Sequence, residues 1–370
     1  MSRRLVTLPL LCGSIGGAMR AVLYDHFQQL PRLITAADPA CPAAGAIVEV
    51  VATGVCRSDW HGWMGHDPDI HLPHVPGHEF AGRVAEVGPE VRDWSAGDLV
   101  TVPFVCACGE CDTCRRGDHQ VCERQFQPGF TGWGSFADLV AIDRADVNLV
   151  RIPEGVDVET AASLGCRFAT AYRAVVHLGR PRPGDWVAVH GCGGVGLSAV
   201  MIAAAHGAQV IAVDVSAAAL RIASEVGAAA TVNAMESEVV AAVRDASGGG
   251  ARVSIDALGS AITCQDSIRC LGTRGRHVQV GLMVGENGMP PIPMGAVIAG
   301  ELEVIGSHGM AAHAYPQVLA EIAAGSLAPQ RLVRRRIDLA AAPAALADFD
   351  EHPVPGVTMV HVRGMPSTGG

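Results

Sequence analysis

From about residue 185 the chain alternates short apolar runs with longer stretches of helical periodicity. Trp186-Val187-Ala188-Val189-His190 reads as a strand buried on both faces, and Val195–His206 as the helix that follows. Gln209–Val213 predicts a strand and Ala217–Val226 a helix. Val253–Ala257, Thr263–Leu271 and Gly275–Val280 then repeat strand, helix, strand, and Val304–Ser307 reads as a last strand. Strands alternating with helices of this length predict a doubly wound parallel sheet. Residues 19–150 have another texture, rich in Val, Gly and Pro. Their short alternating runs, such as Ile47–Val51 and Ala81–Val87, are parted by Gly88-Pro89 and Ala96-Gly97-Asp98. That is the pattern of a small β-barrel. Irregular and β-like segments return after the last strand, with a short helix expected over Ala340–Ala347 despite Pro343.

Composition agrees with two domains: 370 residues, 49% hydrophobic and 17% charged, leave ample apolar surface for two cores. Net charge is −10, and basic residues are scattered apart from Arg334-Arg335-Arg336, read as a solvated turn. Nucleic acid is therefore not an expected partner. No apolar run reaches the roughly 18–20 residues of a membrane span. Residues 1–18 superficially resemble a signal peptide, but Pro9 interrupts Leu5–Leu11, and Met19-Arg20-Ala21-Val22 reads as a fresh start. They are expected to be a disordered extension or to follow an upstream start codon. The twelve cysteines fit a cytoplasmic protein with reduced thiols.

Four of those cysteines fall in one short segment, Cys108-x2-Cys111-x2-Cys114-x7-Cys122. Four sulfurs so spaced can wrap one tetrahedral ion, zinc or iron–sulfur. A register with Cys106 in place of Cys122 is an alternative. A second cluster is dispersed: Cys56 in Val55-Cys56-Arg57-Ser58-Asp59-Trp60-His61, His78 beside Glu79, and Cys166 in Leu164-Gly165-Cys166. Cys, His and Cys supply three zinc ligands and leave a fourth position open, as catalytic zinc requires. His71 and His74 lie among prolines that break any helix, and are expected in a loop or at the surface. Gly191-Cys192-Gly193-Gly194-Val195-Gly196 joins the first predicted strand to its helix, and Asp214 ends the next strand. This is the arrangement that cradles a dinucleotide pyrophosphate, with the carboxylate on the adenosine ribose. Asp214 would repel a 2′-phosphate, which favours NAD over NADP. Ser216 is the better candidate to cap the next helix.

Together these motifs resemble the zinc-dependent medium-chain alcohol dehydrogenases, in their compact microbial form, over residues 19 to about 363. The resemblance implies a GroES-like β-barrel catalytic domain interrupted by a Rossmann domain. On this division the barrel takes 19–166, with a zinc lobe at 104–124, the NAD-binding domain takes 167–305, and the barrel resumes over 306–370. It implies two zinc ions per chain, a catalytic one on Cys56, His78 and Cys166 and a structural one on Cys108, Cys111, Cys114 and Cys122. It implies that Asp59 orients His78, that Glu79 can approach the metal, and that Ser58 and His61 form a proton relay. Arg57 is placed by resemblance at the pyrophosphate, and Thr170, Val195, Val280 and Gly281 beside the cofactor. Phe104 resembles an aromatic wall of the substrate pocket, and Trp60 is expected beside it.

The implied activity interconverts a small-molecule alcohol and its aldehyde or ketone by hydride transfer to or from NAD, in a homotetramer or, second, a dimer. The chain departs from the family at Ala219, where a basic residue is usual; Arg221 stands two positions on. A polyol or sugar dehydrogenase of the same family is the alternative enzyme, disfavoured by Cys166 where those members often carry Glu. A non-catalytic NADH-binding protein on this fold is the alternative of another class.

Overall fold

The computed structural model describes residues 17–283, 288–352 and 354–364. Residues 1–16 of the expected N-terminal extension therefore lie outside the described residues. Six strands form an all-parallel sheet: Trp186–His190, Gln209–Asp214, Ala230–Asn233, Ala251–Asp256, Leu271–Gln279 and Glu303–Gly306. Numbered along the chain, their order across the sheet is 3-2-1-4-5-6, the order of a Rossmann fold. The central strands are apolar because helices cover both faces: Val187, Ala188 and Val189 have no exposed surface. Helix Gly194–Ala205 is apolar on every side, and eight of its twelve residues are buried. It can be so because it lies inside the molecule, its Leu197, Val200 and Ile202 sharing one core with Phe168 and Tyr172 and with Val318 and Leu319.

The other sheet is the GroES-like barrel. Its strands run in the order 333–338, 357–361, 46–55, 80–87, 99–101 and 150–151, with Leu139–Ile142 paired to Ala46–Val55. Only the pair Val333–Asp338 and Val357–His361 is parallel. A hairpin of Ala18–Leu23 with Arg32–Ala37 lies against it. Val48, Val50, Phe80, Val84, Phe136 and Ile142 fill the barrel core.

Elements beyond the predicted ones appear. Arg57–Met64, Val239–Ala246 and Tyr315–Ala323 are helices, Ala230–Asn233 is a strand, and Leu164–Gly179 winds as π-helix, α-helix and π-helix again. After the last parallel strand the expected short helix is present at Ala342–Ala347, and helix Tyr315–Ala323 stands where irregular or β-like chain was expected. Its period places Tyr315, Val318, Leu319 and Ile322 on one buried face. Among the described residues no helix is long and apolar enough to cross a membrane.

Candidate active site and metal centres

Cys56 caps the N-terminus of helix Arg57–Met64 at the end of strand Ala46–Val55. His78 and Glu79 lead into strand Phe80–Val87, and Cys166 sits in the π-helical turn Leu164–Phe168. Three segments far apart in sequence thus converge, and one donor atom each of Cys56, His78, Glu79 and Cys166 lies within 4.8 Å of all the others. Asp59 organises this cluster from beneath. Its buried carboxylate accepts the backbone N–H of Cys56 at 2.9 Å, that of Gly77 at 3.0 Å, and His78 Nδ1 at 2.8 Å. With Nδ1 donating to Asp59, Nε2 carries the lone pair. His78 Nε2 is buried and has no hydrogen-bond partner. A buried, unsatisfied nitrogen beside two sulfurs fits a metal ligand, since otherwise its desolvation is uncompensated. The two sulfurs are coupled: hydrogen bonding from Cys166 holds Cys56 well below a normal thiol, while Cys166 is pushed up by Cys56 and by burial. Burial pushes His78 down, but Asp59 and Cys56 together outweigh it and the net shift is upward.

Glu79 does not stand free in the cluster. Its Oε1 accepts the backbone N–H of Arg167 at 2.7 Å and Nε at 2.9 Å, and its Oε2 accepts Nη2 of the same guanidinium. Arg167 also donates to Val55 O at 3.0 Å. Sequence reasoning passed over Arg167, although a lone cation inside the apolar run Leu164–Tyr172 was a signal. Phe130 was passed over too: its ring lies 4.8 Å from that of His78, nearer than Phe104 at 6.3 Å. Trp60 packs with Tyr24, Trp63, Ile70 and Phe130. His71 is exposed, whereas His74 is a buried loop residue, its Nε2 2.9 Å from Gly129 O. Both histidines thus lie in the expected loop, His71 at the surface and His74 turned inward.

Ser58 and His61 lie half-buried on the helix that begins after Cys56. His61 Nδ1 is 2.9 Å from His66 Nδ1. Arg57 turns toward the C-terminal segment. Its guanidinium pairs with Asp350 at 2.8 Å and lies over the rings of Trp60 and Phe349. That pairing would have to break for Arg57 to meet a pyrophosphate.

The second cluster is closed. Sulfur separations are 3.9 Å for Cys108–Cys114, 3.5 Å for Cys111–Cys114, 3.8 Å for Cys111–Cys122 and 3.6 Å for Cys108–Cys122. Four thiolates about 2.3 Å from a tetrahedral zinc stand about 3.8 Å apart. Backbone N–H groups of Cys108, Cys111, Cys114 and Arg124 point at these sulfurs from 3.3 to 3.5 Å, and such donors favour thiolates. Cys106 stays outside, its thiol donating to Pro103 O, and burial pushes its pKa up.

The glycine loop shows three separate needs for glycine. Gly191 turns with φ 89°, a Cβ on Gly196 would sit 1.7 Å from Gly191 O, and a Cβ on Gly193 would meet nothing within 4 Å. Tight turn, close helix packing and an open approach are what a pyrophosphate cradle requires. Asp214 accepts the backbone N–H of Cys192 at 2.6 Å and of Ser216 at 2.8 Å, so it braces the loop from the next strand. Ser216 caps the following helix by accepting from Ala219 N. A Cβ on Gly194 would strike Arg167 Cδ at 2.2 Å, so the loop at Gly194, just before Val195, rests directly against Arg167. Thr170 Oγ1 is buried without a partner nearby in sequence to that pair. Val280 and Gly281 line a cleft of about 540 Å³ with Gln120, Arg173 and His308. The His308 ring lies 5.2 Å from that of Phe104, which joins the cleft to the Cys56–His78–Cys166 cluster.

Comparison with known proteins follows the same division. Residues 42–154 match the alcohol dehydrogenase GroES-like domain, and residues 194–324 match the zinc-binding dehydrogenase family. An alcohol dehydrogenase of Geobacillus stearothermophilus is 33% identical over 291 residues, 78% of this chain and 84% of that one. A sorbitol dehydrogenase of Halalkalibacterium halodurans is 33% identical over 269 residues, 70% of this chain and 75% of that one. Among solved structures, alcohol dehydrogenase TADH from Thermus sp. ATN1 superimposes with TM-score 0.86 at 32% identity, covering 93% of this chain and all of that one. A zinc-binding dehydrogenase from Sinorhizobium meliloti 1021, bound to NADP, superimposes with TM-score 0.84 at 29% identity, covering 94% and 100%. Two domain matches in the right order, on a barrel and a Rossmann sheet that meet at a Cys–His–Cys cluster, place this chain in the zinc-dependent medium-chain alcohol dehydrogenase family of oxidoreductases.

Proposed function

We propose that the protein is an NAD-linked alcohol dehydrogenase: alcohol and NAD⁺ give aldehyde or ketone, NADH and a proton. The observation that carries this reading is His78 Nε2, buried and unpartnered between Cys56 and Cys166 beside the cleft of Val280 and Gly281. Cys56, His78 and Cys166 would hold a catalytic zinc, and Cys108, Cys111, Cys114 and Cys122 a structural one. When bound, zinc lowers the pKa of an alcohol and NAD accepts hydride. The chain's own residues do the rest. Asp59 fixes the His78 tautomer, and Arg167 holds both oxygens of Glu79, which leaves the fourth side of the cluster to substrate. Phe104 and Phe130 close an apolar wall over His78. Ser58 and His61 take up the released proton. Thr170, Val195, Gly193 and Asp214 seat the dinucleotide, and the Asp214 carboxylate opposes a 2′-phosphate.

A polyol substrate is the second reading, supported by the similarity to a sorbitol dehydrogenase. The expected assembly is a homotetramer in the cytoplasm. Metal analysis and an NADH-absorbance assay across primary, secondary, aromatic and polyhydric alcohols, with NAD and NADP, test the proposal. Two zinc ions per chain are expected, and Cys56→Ser is expected to retain one and lose turnover by at least about 10³-fold. NAD-linked turnover by a zinc-free Cys56→Ser protein would overturn it.

A further inference from the structure

Helix Arg57–Met64 ends in a way that gives His61 a second imidazole. Gly65 adopts φ 82°, its N–H donates to Gly62 O at 3.0 Å, and the N–H of His66 donates to His61 O at 3.0 Å. These two return bonds are a Schellman closure, which folds the residue after the glycine back over the one five positions earlier. An apolar pair commonly meets at that point. Here two histidines meet, with Nδ1 atoms 2.9 Å apart and ring centroids 5.2 Å apart. At that separation one Nδ1 donates and the other accepts. Trp60 packs edge-on against both rings, at 5.0 Å and 5.7 Å. His61 is half-buried and His66 is exposed, so the pair runs from the interior to water.

We propose that His66 is the outer member of a two-histidine proton wire: His61 receives the proton released by the alcohol, and His66 delivers it to bulk water. The inference rests on the reading of His61 as the relay base. In the receiving state His61 carries its proton on Nδ1, donates it to His66 Nδ1, and offers a free Nε2. A proton binds at His61 Nε2, the Nδ1–H bond of His61 breaks as Nδ1–H forms on His66, and Nε2–H of His66 breaks to protonate water. One proton enters, one leaves, and no electrons are transferred. Carbonyl reduction runs the same hops backwards.

The surroundings explain why a second ring helps. Burial lowers the pKa of His61, and His66 and Arg57 lower it further, against Cys56 and Asp350, which raise it. His61 is thus neutral near pH 7 and able to accept, but it is a poor place for a proton to stay. His66, at the exposed end and followed by Asp67, meets water directly.

The test compares His66→Ala, His66→Gln and His61→Gln, using whichever of ethanol, 2-propanol, cyclohexanol and benzyl alcohol is oxidised fastest. His66→Ala should slow alcohol oxidation about five- to tenfold near pH 6 and little at pH 9, less than the ~10²-fold of losing a general base outright. Added imidazole should restore the rate. Zinc content and NAD affinity, followed by NADH fluorescence, should stay unchanged. His66→Gln keeps a hydrogen bond but passes no proton, so it should match His66→Ala; a wild-type profile for His66→Gln would show that His66 only positions His61, and the wire would be refuted. If His61→Gln alters the pH profile and His66→Ala does not, the relay stands and the wire falls. If neither alters it, the relay reading itself fails and the wire with it.

Discussion

Glu79 and Arg167 show how much a single side chain decides when it is buried. The carboxylate has no exposed surface and the guanidinium 7%. Burial pushes the Glu79 carboxyl up to about 7 against the pull of Arg167; burial also works against the Arg167 charge, but Glu79 and Cys56 together outweigh it and keep Arg167 protonated. The pair works only as a pair, because either member alone would be an uncompensated buried charge. Arg167→Met is therefore expected to cost about 3–5 kcal/mol of stability in urea denaturation of the zinc-loaded protein. Arg167→Met combined with Glu79→Gln should recover part of that loss, since it removes both charges. A single variant as stable as the parent would show that Glu79 is protonated and the pair unimportant. Asp59 illustrates the opposite economy: one carboxylate satisfies the Cys56 and Gly77 amides and fixes His78.

The glycine loop and the helix it opens act as one element. Gly193 and Gly196 lie three residues apart and face opposite demands. Gly193→Ala adds a methyl into open space at φ −75°, a conformation any residue adopts. The fold should tolerate it, with melting unchanged, while NAD binding weakens at least about tenfold because the methyl occupies the phosphate approach. Gly196→Ala drives a methyl into the Gly191 carbonyl, so it should lower the melting temperature as well as binding. Calorimetry beside NADH fluorescence separates the two, and equal destabilisation by both variants would refute the assignment of roles. Helix Arg57–Met64 makes a comparable point. Cys56 at its N-cap and His61 in its last turn hold the candidate metal ligand and relay base on one short rigid unit.

At the scale of the molecule the two cysteine-bearing centres are set in different surroundings. The Cys108–Cys122 lobe packs Ala107, Cys114, Cys122 and Val147 into a cluster too small to hold itself together by apolar burial alone. A metal there would act as a staple. Cys111→Ser is expected to reduce zinc from two ions to one and to lower the melting temperature, with turnover per folded molecule largely kept. Loss of turnover at unchanged stability would instead place the chemistry in the lobe. The 540 Å³ cleft lies between this lobe, through Asp118 and Gln120, and the parallel sheet, through Gln279 and Val280. The lobe thus borders the site without supplying the ligands proposed for catalysis.

The residue pattern by itself determined the parallel sheet apart from its edge strand Ala230–Asn233, because a strand buried on both faces needs a continuous apolar run and its helices need a helical period. Trp186–His190 and Gly194–Ala205 satisfy this within a residue or so. It also determined the four-cysteine lobe and the glycine loop, whose cysteines and turns are close in sequence. Short elements were illegible: Arg57–Met64 mixes Trp, His and Gly without a clear period, and Tyr315–Ala323 begins beside a proline. Only the tertiary structure turned His74 inward, bound Arg57 to Asp350, set Arg167 on Glu79 and laid Phe130 against His78. Each of those contacts joins residues brought together by packing between barrel, helix and C-terminal segment. Local propensity records what a residue prefers among its sequence neighbours; it carries no signal for a partner that arrives only when the chain has folded.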